Sequence, residues 1–231
     1  MLKYDEVATK MEAQIIADGL TQGDKLPKLT ELMAKYAVSK STIVKALAKL
    51  EQRGLIYQIQ GSGVFVRRPK LDEHINLINN NGFTADMVKH KMTAKVLSLK
   101  KIAPPKDLIK YFNGDVKEVY EVKRIRYLDD QILCLEESYF KTSVVPFLNE
   151  QIAQGSIFNY VRELGIAIGF SDKYLNVIEL SKKEAKLLEL PEKAPALTIE
   201  ETYYLTSGEA FDHSKTTYHF KNAKFFIQST T

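Results

Sequence analysis

Lys40, Ser41, Thr42 and Lys45 fall close together in VSKSTIVKAL, and Arg67 and Arg68 end the glycine-tipped stretch GSGVFVRR a little downstream. Ammonium, guanidinium and hydroxyl groups in this mixture donate hydrogen bonds to phosphate oxygens and base edges, which is the chemistry of duplex DNA recognition. A second set stands in KRIRYLDDQILCLEE, where Arg124 and Arg126 are two residues apart and Glu136 follows. Neighbouring guanidiniums repel unless an anion or acid partner offsets them, and their fork fits phosphate or carboxylate. From spacing alone, an anion site and a surface salt-bridge ladder are both open.

Other chemistries find little support. The four histidines and the single cysteine, Cys134, show no metal-ligand spacing and no nucleophile–base–acid set, so no catalytic residue, metal or cofactor is expected. One cysteine makes no internal disulfide, no apolar run approaches the roughly 20 residues of a membrane span, and MLKYDEVATK lacks a signal-peptide core; a cytoplasmic protein with no membrane partner is the expectation. The formal charge of +4 is unevenly spread. Residues 1–70 hold 12 Lys or Arg against 7 Asp or Glu, whereas 71–231 hold 21 against 22. The basic excess in the first third suits a polyanion-facing surface, although a solvated helix face would look similar.

The elements that must position these groups follow from periodicity. Tyr4, Val7, Ala8, Met11 and Ile15 predict an amphipathic helix over 4–18, closed by Gly19. Leu29, Leu32, Met33 and Tyr36 predict a brief second helix after Pro27. Ser39 is a good N-cap for a third over 40–53, buried through Ile43, Ala46, Leu47 and Leu50 and ended by Gly54. The tight Ala37-Val38 connection makes the last two a helix-turn-helix, leaving Lys40, Ser41, Thr42 and Lys45 off the apolar stripe. The β-rich runs 55–59 and 64–66 flank Gln60-Gly61-Ser62-Gly63 and predict a hairpin, a wing whose tip (Gly61, Ser62, Gly63) and terminal Arg67 or Arg68 would lie along an adjacent DNA backbone or minor groove.

Pro69 marks a domain boundary near 70, and 72–82 reads as a linker or first helix. Beyond it, strands over 94–102, 118–128, 132–141, 174–179, 196–205 and 210–220 alternate with helices over 105–112 and 156–163 and one starting at the capping box Ser181 to Glu184, which predicts a mostly antiparallel α+β domain. A three-residue loop, Asp129 to Gln131, pairs Ile125 with Leu135 and Tyr127 with Leu133 on one face. Arg124 then stands opposite Glu136, and Arg126 opposite Cys134, on the other. A two-residue loop would mix the apolar and charged faces.

GDKLP (23–27), VSKSTIVKAL (38–47), LEQRGLI (50–56) and GSGVFV (61–66) together resemble the winged helix-turn-helix of the GntR family of bacterial transcription regulators. The resemblance implies base contacts from Thr30 as well, because the family commonly places arginine three residues after the proline. Arginines are also common at the positions of Lys40 and Val44. Lysine lacks the guanine-matching fork, and threonine and valine lack charge, so the usual family operator is not implied.

KRIRYLDDQILCLEESY, SIFNYV, SKKEAKLLEL and SGEAFDHSKTTYH resemble the UTRA effector-binding domain of the HutC subfamily, with its chorismate-lyase-like fold. This divides the chain into a DNA-binding domain over 1–70 and an effector-binding and dimerising domain over 71–231. Such domains commonly bind small metabolites, often sugar phosphates. By match, the contacts are Arg124, Arg126, Glu136, Ser156 and Tyr218, with Phe158 as an aromatic lining residue whose other reading is simply core. Where relatives offer phosphate-binding hydroxyls, this chain reads Asn80-Asn81-Gly82, so the backbone at Gly82 or the side chain of Thr84 would have to substitute.

The reading is therefore a ligand-responsive repressor that binds an inverted-repeat double-stranded DNA operator as a homodimer and is released by a small anionic effector such as a sugar phosphate. A constitutive regulator whose second domain only dimerises is the alternative. An enzyme built on the same fold lacks a recognisable catalytic set.

Overall fold

The computed structural model describes residues 3–67, 74–78, 90–114 and 116–227, which form two compact units, 3–67 and 74–227.

In the first unit, α1 (Lys3–Ala17), α2 (Leu29–Tyr36) and α3 (Lys40–Gln52) precede a hairpin of β1 (Ile56–Ile59) and β2 (Gly63–Val66). Val7, Ala8 and Met11 of α1 pack on Ile43, Ala46, Leu47 and Leu50 of α3, closed by Leu26, Leu32, Ile56 and Val66. The helix-turn-helix turn is made by Ala37, whose left-handed backbone (φ 50°) lets the Ala37 and Val38 amides cap the end of α2. Ser39 Oγ then accepts the Thr42 amide at 3.3 Å and starts α3. Ile56 pairs with Val66 and Ile59 with Gly63, so Gln60, Gly61 and Ser62 form the wing tip, with Gly61 at φ +77°.

The second unit is a six-stranded antiparallel sheet in the order β4-β5-β6-β9-β8-β7, formed by β4 (Met92–Ile102), β5 (Val119–Leu128), β6 (Gln131–Lys141), β7 (Ile168–Glu179), β8 (Pro195–Leu205) and β9 (Ala210–His219). Helices α4 (Glu150–Gln154) and α5 (Ile157–Glu163) bury Ala153, Ile157 and Val161 against Val122, Phe140 and Tyr203 of the sheet. The capping box of Ser181 and Glu184 opens α6 (Lys182–Leu187).

Several expectations change. The stretch read as linker or helix holds a strand, β3 (His74–Asn76), which pairs in parallel with an unforeseen β10 (Lys224–Phe226). The predicted helix over 105–112 is only a 3₁₀ turn, Ile109–Phe112, stopped by left-handed Asn113. Helix α4 was not foreseen, and β7 starts six residues earlier than read.

The β5–β6 turn is also corrected. Asp129 and Asp130, both at positive φ (49° and 64°), form the two-residue loop that the pattern had excluded. Leu128 pairs with Gln131 and Tyr127 with Ile132 rather than Leu133. A bulge at Leu133 absorbs the extra residue, after which Arg126 meets Cys134, Ile125 meets Leu135 and Arg124 meets Glu136. The bulge thus reconciles a tight turn with separate apolar and charged faces.

Candidate functional site

At the start of α3, Lys40, Ser41 and Lys45 are exposed; Thr42 is half-buried and its hydroxyl lies 2.9 Å from Ser39 Oγ. Thr30 is exposed on α2, Gly61 and Ser62 are exposed at the wing tip, and Gly63 and Arg67 are half-buried. Arg68 lies outside the described residues. The basic set divides in two. Lys49 pairs with Asp5, and Arg53 with Glu12 at 2.8 Å, so these two tie α3 to α1 rather than extending the outer surface. Val44, named in the sequence reading only as a position that lacks the family's arginine, is 49% exposed on the turn after Lys40 and so presents a methyl surface amid the polar groups.

In the second unit, strand alternation gathers the other set. Arg124 and Arg126 on β5 face Glu136 and Cys134 on β6, and β9 continues both rows with Thr216 and Tyr218. Arg124 Nη2 donates to Glu136 Oε1 at 2.8 Å, Arg126 Nη1 to Oε2 at 3.2 Å, and Ser138 Oγ to Oε1 at 3.0 Å. Arg124 is 3% exposed, Arg126 6% and Glu136 6%, so these charges form no solvated surface ladder. Burial alone would raise the Glu136 carboxyl, but the two guanidiniums and the Ser138 hydroxyl outweigh it and hold it down at about 2. Arg124 Nη1 also donates to the carbonyls of Ala153 (2.6 Å) and Gly155 (3.2 Å), which anchors the turn that carries Ser156.

Arg124, Arg126, Glu136, Ser156, Phe158 and Tyr218 line one cavity. Ser156 is the N-cap of α5, where its Oγ accepts the Asn159 amide at 3.2 Å. Phe158 serves in both of its readings, lining the cavity while packing on Tyr203 at a ring separation of 4.5 Å. The Tyr218 ring stands edge-on to Phe225 of β10 at 4.8 Å. Gly82 and Thr84 lie outside the described residues.

The cavity has a second polar end that the sequence reading missed. Lys173 lies 2.9 Å from Glu201, which also accepts from Ser171 at 2.6 Å, and Ser214 Oγ donates to Asp212 Oδ2 at 2.7 Å. Burial, reinforced by Glu136 and Glu201, pushes the Asp212 carboxyl well above its usual range despite the Ser214 hydrogen bond. Asp212 Oδ1 and Arg124 Nε are buried with no hydrogen-bond partner among the described residues. Ile75, Asn76 and Leu77, on and just after β3, complete the wall. The two polar ends suit a small ligand bearing both an anionic group and hydroxyls.

The family model for bacterial regulatory proteins of the gntR family matches residues 3–66, and that for the UTRA domain matches 88–224. The chain is 45% identical to the uncharacterized HTH-type transcriptional regulator YydK of Bacillus subtilis (strain 168), over 100% of this chain and 99% of the relative. The crystal structure of YydK superposes with a TM-score of 0.87 at 44% identity, covering 100% of both chains. This chain is 28% identical to the HTH-type transcriptional repressor NagR of Bacillus subtilis (strain 168; 93% and 89% covered), and 25% identical to the mannosyl-D-glycerate transport/metabolism system repressor MngR of Escherichia coli (strain K12; 97% and 94% covered). These relatives are regulators rather than enzymes. With a winged helix-turn-helix at its head and a UTRA domain behind it, the chain belongs to the GntR family of DNA-binding transcriptional regulators, in its HutC branch.

Proposed function

We propose that the protein is a repressor whose homodimer holds an inverted-repeat operator and releases it when a small anionic metabolite, first of all a sugar phosphate, fills the cavity of the second unit. Lys40, Ser41, Thr42 and Lys45 read base edges, Thr30 assists them, and Gly61 to Gly63 with Arg67 and Arg68 follow the DNA backbone. Arg126 and Arg124 attract the anion, Glu136 fixes both guanidiniums, Ser156, Phe158 and Tyr218 enclose the rest, and Gly82 and Thr84 are proposed to contact the same ligand. The setting is the cytoplasm. No helix of the described residues is long and apolar enough to cross a membrane.

One observation carries the effector half of this reading. Arg124 Nε and Asp212 Oδ1 are buried in the wall of one cavity with hydrogen-bonding capacity unused among the described residues. Leaving a buried polar group unpaired costs roughly 1–3 kcal/mol. A ligand that supplies partners recovers this. MngR represses a system for mannosyl-D-glycerate, an anionic sugar derivative, which agrees with the ligand class.

The test is a thermal-shift screen of sugar phosphates, sugar carboxylates and free sugars on the full chain, followed by operator binding in the presence of each hit. A true effector stabilises the fold by about 2.7 kcal/mol at a hundred times its dissociation constant and weakens operator binding. Arg126→Lys keeps a charge beside Glu136 but removes the fork, and Tyr218→Phe keeps the ring but removes the hydroxyl. Both should lower ligand affinity at least tenfold. A hit that binds these variants as it binds wild type lies elsewhere, and a protein that no anion stabilises is a constitutive regulator.

A further inference from the structure

The segment from Gly23 to Leu26, between α1 and α2, is tied into the wing. The Gly23 amide donates to the Val66 carbonyl at 2.9 Å, the Val66 amide to Asp24 at 2.8 Å and the Leu26 amide to Val64 at 2.8 Å, and Lys25 faces Phe65 across an antiparallel bridge. Leu26, Ile56 and Val66 turn into the core. Alternation therefore leaves Lys25, Tyr57, Ile59, Gly63 and Phe65 together on the other face, a row that contains no carboxylate. The Lys25 side chain lies across this row. Its ammonium stands 5.7 Å from the centre of the Phe65 ring, which stacks in turn on Tyr57 at 5.5 Å. Its Cε is 2.7 Å from the point that a Cβ on residue 63 would occupy, so the stem fills the space that glycine leaves beside the wing tip.

We infer that Lys25 is a DNA-backbone contact delivered by the wing, its ammonium held over Phe65 and against Gly63 so that it takes a phosphate oxygen beside the tip. The inference rests on the reading that the wing follows the DNA, and adds to it a residue from outside the hairpin. Lys25 is exposed and, among the described residues, has no ion-pair partner, whereas Lys49 and Arg53 of the same unit are spent on Asp5 and Glu12. Its charge is available. A compact ammonium suits phosphate as a point charge, and a side chain already laid along an aromatic pair gives up less freedom on binding than one loose in solvent. Gly63 thereby has a second use besides its positive φ of 130°, since a side chain there would displace the lysine stem. A phosphate contact carries no sequence information, so Lys25 strengthens binding to every duplex alike.

Binding of the full chain to its operator and to an unrelated duplex, titrated between about 50 and 200 mM salt, tests this. Lys25→Met keeps a stem over Phe65 and Gly63 but loses the ammonium. It should weaken both duplexes by the same factor and lower the slope of log affinity against log salt by about 0.9 for each lysine lost. Its deficit against wild type then shrinks roughly 3.5-fold per lysine across that range of salt. Lys25→Gln should show the same slope, and Lys25→Arg should restore the wild-type one. Lys10→Met removes the same charge from α1, where Lys10 pairs with Glu6 at 2.7 Å, and should leave the slope unchanged. A wild-type slope in both Lys25→Met and Lys25→Gln overturns the inference, as does a slope that falls equally in Lys10→Met. Arg67→Ala combined with Arg68→Ala tells the two readings apart. If that double variant lowers the slope and the Lys25 variants do not, the wing lies on DNA without Lys25; if none of them does, the wing is not on the backbone.

Discussion

Glu136 and Asp212 are buried carboxyls on neighbouring strands whose proton affinities are shifted in opposite directions. Glu136, lowered from an ordinary 4.5 to about 2 by its arginines, is charged in the fold. Its contribution is complete above about pH 4.5 and is lost as pH falls toward 2, on the order of 3 kcal/mol in all. Asp212 is raised above its ordinary 3.8, so the fold keeps a proton that the unfolded chain gives up. That contribution is complete below about pH 4 and declines as pH rises. Asp212→Asn should therefore raise the melting temperature at pH 7 and leave it nearly unchanged at pH 4. Glu136→Gln leaves two buried guanidiniums without their acid and should cost about 3–5 kcal/mol at pH 7, with a weaker acid dependence than wild type below pH 4.5. Denaturant unfolding across pH checks both. The Glu136 arrangement was legible in the sequence because only a register that separates apolar from charged residues sets it opposite Arg124, although a bulge and not a longer loop supplies that register. Asp212 was not, because its state depends on burial by strands distant in sequence, which no local spacing records.

At the scale of elements, α3 was legible down to its cap, since an N-cap serine, an apolar stripe and a closing glycine all agree. The face it shows to DNA was only partly so. Val44 follows Lys40 by one turn and is exposed, and an apolar group there fits the methyl of thymine rather than the acceptors of guanine. Val44→Arg should shift the preference at one operator position from thymine toward guanine, by about 1–3 kcal/mol, as read by selection from random duplexes. The β5–β6 hairpin shows why counting loop residues misled. Aspartates tolerate the left-handed backbone that a two-residue turn requires, and a bulge at Leu133 corrects the register, yet neither leaves a pattern in alternation. Asp130→Gly should therefore stabilise the domain by roughly 0.5–1 kcal/mol in thermal or denaturant unfolding, since glycine adopts that φ without strain.

Across the whole molecule, coupling needs a segment that both ligand and DNA-reading unit can bias, and β3 is suited to it. Asn76 lines the cavity, and only residues 68–73 separate β3 from Arg67 along the chain. A ligand shifts an equilibrium only by its unequal affinity for two arrangements, so one that touches β3 can favour a placement of the winged helices. Asn76→Ala should keep effector affinity within about threefold while reducing effector-driven loss of operator binding, normally worth roughly 1–3 kcal/mol. Titrating operator with and without effector separates the two quantities. Three residues are too few for periodicity to mark β3, and its partner β10 lies near the other end of the sequence, so the strand read as linker. That long-range pairing also sets an order of events during synthesis. The first 67 residues hold the whole core of the winged helix and leave the ribosome early, whereas the cavity gains its β3 wall only when Lys224 to Phe226 emerge. Late frameshifts or premature stops should thus yield chains that still occupy operators but no longer answer the metabolite, and such alleles should behave as super-repressors in a cell that also carries the intact gene.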